Sequence, residues 1–228
     1  MFRSKYEFLS SSICYNEGNL KKDGTVKVKS KIPLLFILVG LILIGIGVWQ
    51  FIDVKMQTKA SLKEAKEIVS EQQPINSNQK PNGKNKLKVS KKNKAPNIGD
   101  TIGLLSIPKI SAELPIVEGT DPDDLAKGVG HYKGSYLPGD HGQIVLSGHR
   151  DTVFRHLGEL KKGDTLKVND SKGNFLYEIT HMKIVKADDT SIITLQNKHE
   201  ELILTTCYPF SYVGNAPKRY IIYAKPKS

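Results

Sequence analysis

Hydrophobic and polar positions divide the chain into unlike stretches. Residues 32–52, IPLLFILVGLILIGIGVWQFI, run for 21 positions without a charge. As a helix they span about 31 Å, matching a hydrocarbon core of roughly 30 Å. Trp49 and Phe51 near the end of the run suit an interfacial aromatic belt. The run is too long for the apolar core of a signal peptide, so an uncleaved transmembrane anchor is expected. Residues 55–72 are good helix formers without Pro or Gly and should continue that helix as a polar stalk. From Gln73 to Asn97 the chain turns to Asn, Lys, Gln and Pro. Such a stretch buries too little to offset its ordering entropy and reads as a flexible linker, reaching roughly 25–30 Å.

After Gly99 the periodicity becomes that of short strands. Ile102–Ile110, Ala112–Glu118, Gln143–Ser147, Thr165–Asn169, Phe175–Ala187, Glu201–Thr206 and Arg219–Lys225 are β-branched or aromatic, punctuated by Gly, Pro, Asn and Asp. Two short helices are expected, Pro122–Lys127 behind Asp121 and Thr152–Leu160 behind Asp151. Many strands and little helix predict an all-β barrel or sandwich of about 130 residues. The expected division is a basic N-terminal segment 1–31, a transmembrane anchor 32–52, a stalk and disordered linker 53–98, and a folded domain 99–228.

Charge modifies this picture by where it sits. The chain carries a formal +11, yet residues 1–100 hold 18 Lys and Arg against 8 Asp and Glu, whereas residues 101–228 hold 16 against 15. A nucleic-acid-binding module wears its basic charge on the folded part, so nucleic acid is not the expected partner. Lysines flank the apolar run almost evenly, five before and four after, so the positive-inside rule hardly orients it. The two cysteines, Cys14 and Cys207, fall on opposite sides of the run, which leaves no disulfide framework. No His or Cys spacing suits a structural zinc site, and no metal or other cofactor is expected.

Three side chains carry candidate chemistry. Cys207 closes the apolar strand ELILTTC just before Tyr208-Pro209, where a side chain can leave the core for a cleft; a buried, inert thiol is the plainer alternative. His149, in IVLSGHRDT, follows a strand and a glycine, which permits an exposed turn; a surface or capping histidine fits as well. Arg219 shares a strand face with Ile221 and Tyr223. If its strand pairs antiparallel with that of Cys207 across residues 208–218, a guanidinium stands beside the thiol. There it can favour thiolate or bind an oxyanion; otherwise it is a surface Arg in a salt bridge. Thr205 and Thr206 are candidate cleft residues or ordinary strand threonines, and Asp151 either orients His149 or caps the helix after it.

Cys207 in LTTC, His149 in SGHR and Arg219 twelve residues after the Cys resemble the Cys-His-Arg constellation of the sortases, membrane-anchored cysteine transpeptidases of Gram-positive bacteria. The likeness runs over residues 100–226 and includes GVGHYKGS (128–135), LPGDHGQIVLSGHR (137–150) and TTCYPF (205–210). Ile203 stands where the family's TLxTC motif has its first Thr. The run CYPFSYVGNAPKRY with a single N-terminal anchor looks most like class D.

The resemblance implies a closed sortase-like β-barrel with short helices, outside the cell, behind one transmembrane helix with its N-terminus cytoplasmic. It implies Cys207 as nucleophile, His149 as general acid and base, and Arg219 as substrate and oxyanion stabiliser, with Thr205, Thr206 and His131 as substrate-binding candidates. The implied partners are surface proteins with a C-terminal LPxTG-like sorting signal and a cell-wall precursor amine. A thiol peptidase and a non-enzymatic wall-binding β-domain are the competing readings.

Overall fold

The computed structural model describes residues 32–70, 95–212 and 214–227. The basic N-terminal segment and most of the expected linker lie outside the described residues.

The apolar run and the polar stretch after it form one helix, α1, Ile32–Ser70, with no break where the hydropathy changes. Its N-terminal half is long and apolar enough to cross a membrane. Its C-terminal half buries a narrow stripe of small side chains, Ser61 and Ala65, one turn apart. Beside that stripe the Thr58 hydroxyl donates to Ala126 O (2.9 Å). Thr101 Oγ1 donates to Glu64 (2.6 Å) and Lys66 pairs with Glu113 (2.6 Å). The stalk thus lies along the folded domain.

That domain is an eight-stranded closed barrel: β1 Thr101–Ile107, β2 Ala112–Glu118, β3 Val129–His131, β4 Gln143–Ser147, β5 Thr165–Asp170, β6 Gly173–Lys186, β7 Glu201–Tyr208 and β8 Lys218–Pro226. Around the barrel the order is β1-β2-β3-β4-β7-β8-β6-β5. Pairing is antiparallel except at β2–β3 and β4–β7. One short helix, α2 (Pro122–Lys127), follows Asp121, with Pro at its start, where a missing N–H costs nothing.

Alternation along the strands builds the interior. Leu105, Ile107, Ile144, Leu146, Leu202, Leu204 and Ile222 fill the barrel with Tyr177 and Ile179. The opposite face of β7 and β8 carries a second cluster, Ile203 and Ile221 with Val185 and Ile192. Ile192 belongs to the β6–β7 connection, which therefore lies against the barrel's outer wall beside β7.

Three expectations need correction. The first strand ends at Ile107, and Pro108–Ile110 is a 3-10 turn because Pro108 has no N–H for the ladder. The short strand β3 was not foreseen. The helix expected at Thr152–Leu160 is a series of turns ending in a 3-10 segment, Leu157–Glu159. Tertiary packing decides that segment: Phe154, Leu157 and Leu160 are all buried, and the Phe210 ring lies so close to Gly158 that a Cβ there would meet it at 2.9 Å.

Candidate active site

Three neighbouring strands bring the candidate residues to one end of the barrel. β7 and β8 pair antiparallel, and Cys207 sits directly opposite Arg219. β4 runs parallel to β7 with Ser147 opposite Thr205. The pairing continues through Gly148, whose N–H donates to Thr205 O (3.2 Å) and whose carbonyl accepts from Thr206 Oγ1 (2.7 Å). His149 thereby leaves its strand alongside Cys207.

Gly148 also makes the departure possible. A Cβ there would stand 2.7 Å from Val153 and from the buried Phe154 ring. Only a bare backbone fits beneath that ring. The turn after it is tied by Phe154 N–H to His149 O (3.0 Å), and the His149 side chain is exposed.

The alternation of β7 sorts the remaining candidates. Leu202, Leu204 and Thr206 face inward, whereas Ile203, Thr205 and Cys207 face outward. Cys207 is a free, half-buried thiol. Thr205 is on its face, one residue pair along. Thr206 is 3% exposed with its hydroxyl spent on Gly148 O, so it braces the turn that carries His149 and does not reach the outer groove.

His131 is 3% exposed. It lies opposite Leu146, on the inward face of the sheet. Its Nδ1 is 2.7 Å from the Glu118 carboxylate, and its Nε2 lies 3.0 Å from Tyr136 O and 2.9 Å from Ser135 Oγ. Both ring nitrogens are satisfied inside the fold. Asp151 is exposed and makes no hydrogen bond with His149; with no α-helix after it, it caps none.

Arg219 is half-buried, and its Nη1 donates to Ala216 O (3.2 Å) and Lys218 O (3.0 Å). These bonds tie the guanidinium to the backbone where the β7–β8 connection meets β8. Beneath the connection, Tyr208, Phe210 and Tyr220 form an aromatic cluster with centroids 5.3–6.1 Å apart. Burial, then the neighbouring Tyr208, pushes the Tyr220 hydroxyl above its ordinary pKa.

Two residues passed over in the sequence shape the site's surroundings. Gln143, only 2% exposed, uses all its amide capacity on the β6–β7 side. Its oxygen accepts from Thr194 N–H (2.8 Å) and Leu195 N–H (3.1 Å). Its nitrogen donates to Ile192 O (3.1 Å) and Glu201 Oε2 (3.1 Å). Arg150, next to His149, reaches across to the β7–β8 connection.

A barrel with a free thiol opposite an arginine and a histidine one strand away agrees with what comparison of the whole chain gives. The sortase domain matches residues 105–227, and the chain belongs to the sortase family. It is a cysteine transpeptidase of class D type. It is 59% identical to Sortase D of Bacillus subtilis over 198 residues, 87% of this chain and 98% of that protein. Sortase A of Bacillus anthracis is 30% identical over 53% of this chain and 57% of its own length. Among solved structures, a Clostridium perfringens Sortase D5 transpeptidase superposes with a TM-score of 0.53 at 29% identity, covering 58% of this chain and 82% of that one. Sortase A from Corynebacterium diphtheriae gives 0.52 at 30% identity, covering 57% and 61%.

Proposed function

We propose that Cys207, His149 and Arg219 carry out transpeptidation on an LPxTG-like sorting signal and join the cleaved protein to a cell-wall precursor amine. The observation that carries the assignment is the strand register, with Cys207 opposite Arg219 and the parallel β4–β7 pairing delivering His149 to the same end.

In the first step the Cys207 thiolate attacks the carbonyl carbon of the signal's Thr. Arg219 donates hydrogen bonds to the oxyanion that develops. As the C–N bond breaks, imidazolium His149 gives its proton to the departing amine, leaving a thioester on Cys207. In the second step neutral His149 takes a proton from the incoming amine, which attacks the thioester carbonyl. The new amide forms and the thiolate is released. Thr205, on the outward face beside Cys207, hydrogen-bonds the signal.

The helix α1 anchors this chemistry to the membrane, with the N-terminus cytoplasmic and the barrel outside, where sorting signals and wall precursors meet. Residues 53–98 serve as stalk and linker, and residues 99–228 as the catalytic domain.

The test uses the full chain in detergent with LPxTG-type and LPNTA-type peptides, with and without hydroxylamine as the amine. Mass spectrometry follows an adduct on Cys207 and the product. A thioester that resolves to hydroxamate, absent in Cys207→Ala and slowed at least 100-fold in His149→Ala, is the expected result. Hydrolysis unaffected by amine marks a peptidase, and an inert thiol in folded protein overturns the assignment.

A further inference from the structure

The connection between β7 and β8 begins two residues after Cys207 and ends just before Arg219. Its residues 211, 212, 214 and 215 are exposed. Among its described residues, Tyr212 N–H donates to Pro209 O (3.4 Å) and Pro217 O accepts from Ala187 N–H (3.0 Å). Further ties come from outside. Arg150 Nη1 donates to Pro209 O (3.2 Å) and Nη2 to Gly214 O (2.9 Å). The same guanidinium lies 5.7 Å from the centre of the Tyr212 ring. One planar fork therefore grips the connection at its first residue and just past its middle, with Tyr212 between.

The backbone of Arg150 is bonded to that of His149, and Pro209 is two residues from Cys207. Arg219 in turn holds Ala216 O, two residues beyond Gly214. The guanidinium is thus a short bridge between the segment bearing the histidine and the loop that links the thiol to the arginine. β4 ends at Ser147 and its pairing with β7 continues only through Gly148, so beyond Gly148 no ladder bond ties the turn that carries His149 to the connection after Tyr208.

We propose that Arg150 is a positioning residue of the transpeptidase: its bidentate grip on Pro209 O and Gly214 O fixes the separation of His149 from Cys207 and keeps Arg219 facing the cleft. This rests on the assignment of those three residues above. The fork is the essential feature. Lysine keeps the charge and much of the stem, but its donors radiate from one nitrogen, whereas the guanidinium reaches Pro209 O and Gly214 O from two nitrogens set apart in one rigid plane. Both chemical steps pass a proton between His149 and the reacting centre, so misplacement acts on kcat in both.

The experiment compares the full chain in detergent with Arg150→Ala, Arg150→Lys, Cys207→Ala and His149→Ala, using hydroxylaminolysis of the peptide that the unaltered chain turns over. Thermal unfolding serves as the folding control. Arg150→Ala is expected to lower kcat about 10- to 100-fold with KM changed less than about threefold. Arg150→Lys should lie within about threefold of Arg150→Ala. Millimolar guanidinium ion should restore part of the activity of Arg150→Ala and none of that of His149→Ala. Hydrogen exchange at residues 209–216 should rise in both Arg150 variants while exchange in β1–β8 stays unchanged.

Arg150→Lys with unaltered kcat overturns the proposal, because charge and packing would then suffice. So does Arg150→Ala if folded and fully active. If Arg150→Ala does not fold, Arg150→Lys decides the matter. Activity surviving in Cys207→Ala or His149→Ala refutes the parent assignment instead, whatever Arg150 does.

Discussion

Replacing Gln143 by Ala tests whether one buried amide holds the β6–β7 connection against the barrel. The side chain makes four hydrogen bonds, to Thr194 N–H, Leu195 N–H, Ile192 O and the Glu201 carboxylate. At a net of about 0.5–1.5 kcal/mol each, the four together bracket a loss of about 2–6 kcal/mol. Thr194 and Leu195 are exposed residues, so their freed amides can turn to water, and the lower part of that range applies, about 2–3 kcal/mol. The loss falls on the β6–β7 connection, since the barrel's strands keep their own ladders. Opening there should make Thr194 and Leu195 amides exchange about 30- to 150-fold faster, at tenfold per 1.4 kcal/mol. With the connection loosened beside β7, KM for the sorting peptide should rise several-fold while kcat changes less. Gln143→Glu keeps an oxygen to accept from Thr194 and Leu195 N–H but loses both N–H donors and sets a carboxylate against that of Glu201, and should be at least as damaging. Exchange at Thr194 and Leu195 within threefold of the unaltered protein would refute the reasoning. An equal rise throughout the barrel would also refute it, by showing that Gln143 supports the whole fold.

Other predictions concern the interior. His131→Ala leaves the Glu118 carboxylate, 7% exposed as a side chain, without its partner and should cost about 3–5 kcal/mol in urea unfolding. The same variant, folded at low temperature, should keep most of its kcat, since His131 faces away from Cys207. Gly148→Ala forces a methyl to 2.7 Å from Phe154; stability should fall by about 1–3 kcal/mol and kcat should fall with it as His149 is displaced. Burial raises the Asp170 carboxyl above its ordinary value, against the hydrogen bonds from Lys172 and Gly173 N–H and the Lys172 charge. A raised carboxyl binds its proton more tightly folded than unfolded. Its contribution is therefore fully favourable below the unfolded value of 3.8 and is lost as pH rises through the folded one. Asp170→Asn retains an oxygen for the two N–H groups, so its Tm relative to the unaltered chain should climb between pH 3 and pH 7; a relative Tm that falls over that range would contradict the sign.

Most strands were legible because alternation of β-branched and polar residues is a local signal. β2 and β4 run over Ala112–Glu118 and Gln143–Ser147, as expected. β3 was not legible, since Val129-Gly130-His131 is three residues long with glycines at 128 and 130, and pairing alone makes it a strand. The turns at 150–156 look helical in sequence because Asp151 and Thr152 imitate a helix start; the need to bury Phe154, Leu157 and Leu160 together overrides that signal. Cys207 facing Arg219 follows from a hairpin, a short-range inference. The neighbourhood of His149 and Cys207 depends on parallel pairing across some 58 residues, which no local pattern reveals; there the family resemblance carried the reading. Arg150 and Gln143 act on backbone groups of distant loops and leave no mark in spacing or composition.

The strand order has a consequence for when the protein becomes an enzyme. The β7–β8 hairpin enters between β4 and β6, both made earlier along the chain. Without the hairpin the first six strands would be an open sheet edged by β4 and the 14-residue β6, the kind of edge that invites pairing with another chain. Insertion of the hairpin closes the barrel and, in the same event, sets Cys207 and Arg219 beside His149. Such non-local closure is the slow kind of folding step. A chain lacking those last strands has neither Cys207 nor Arg219 and exposes two sheet edges instead: silence and fragility before completion come from one topological choice.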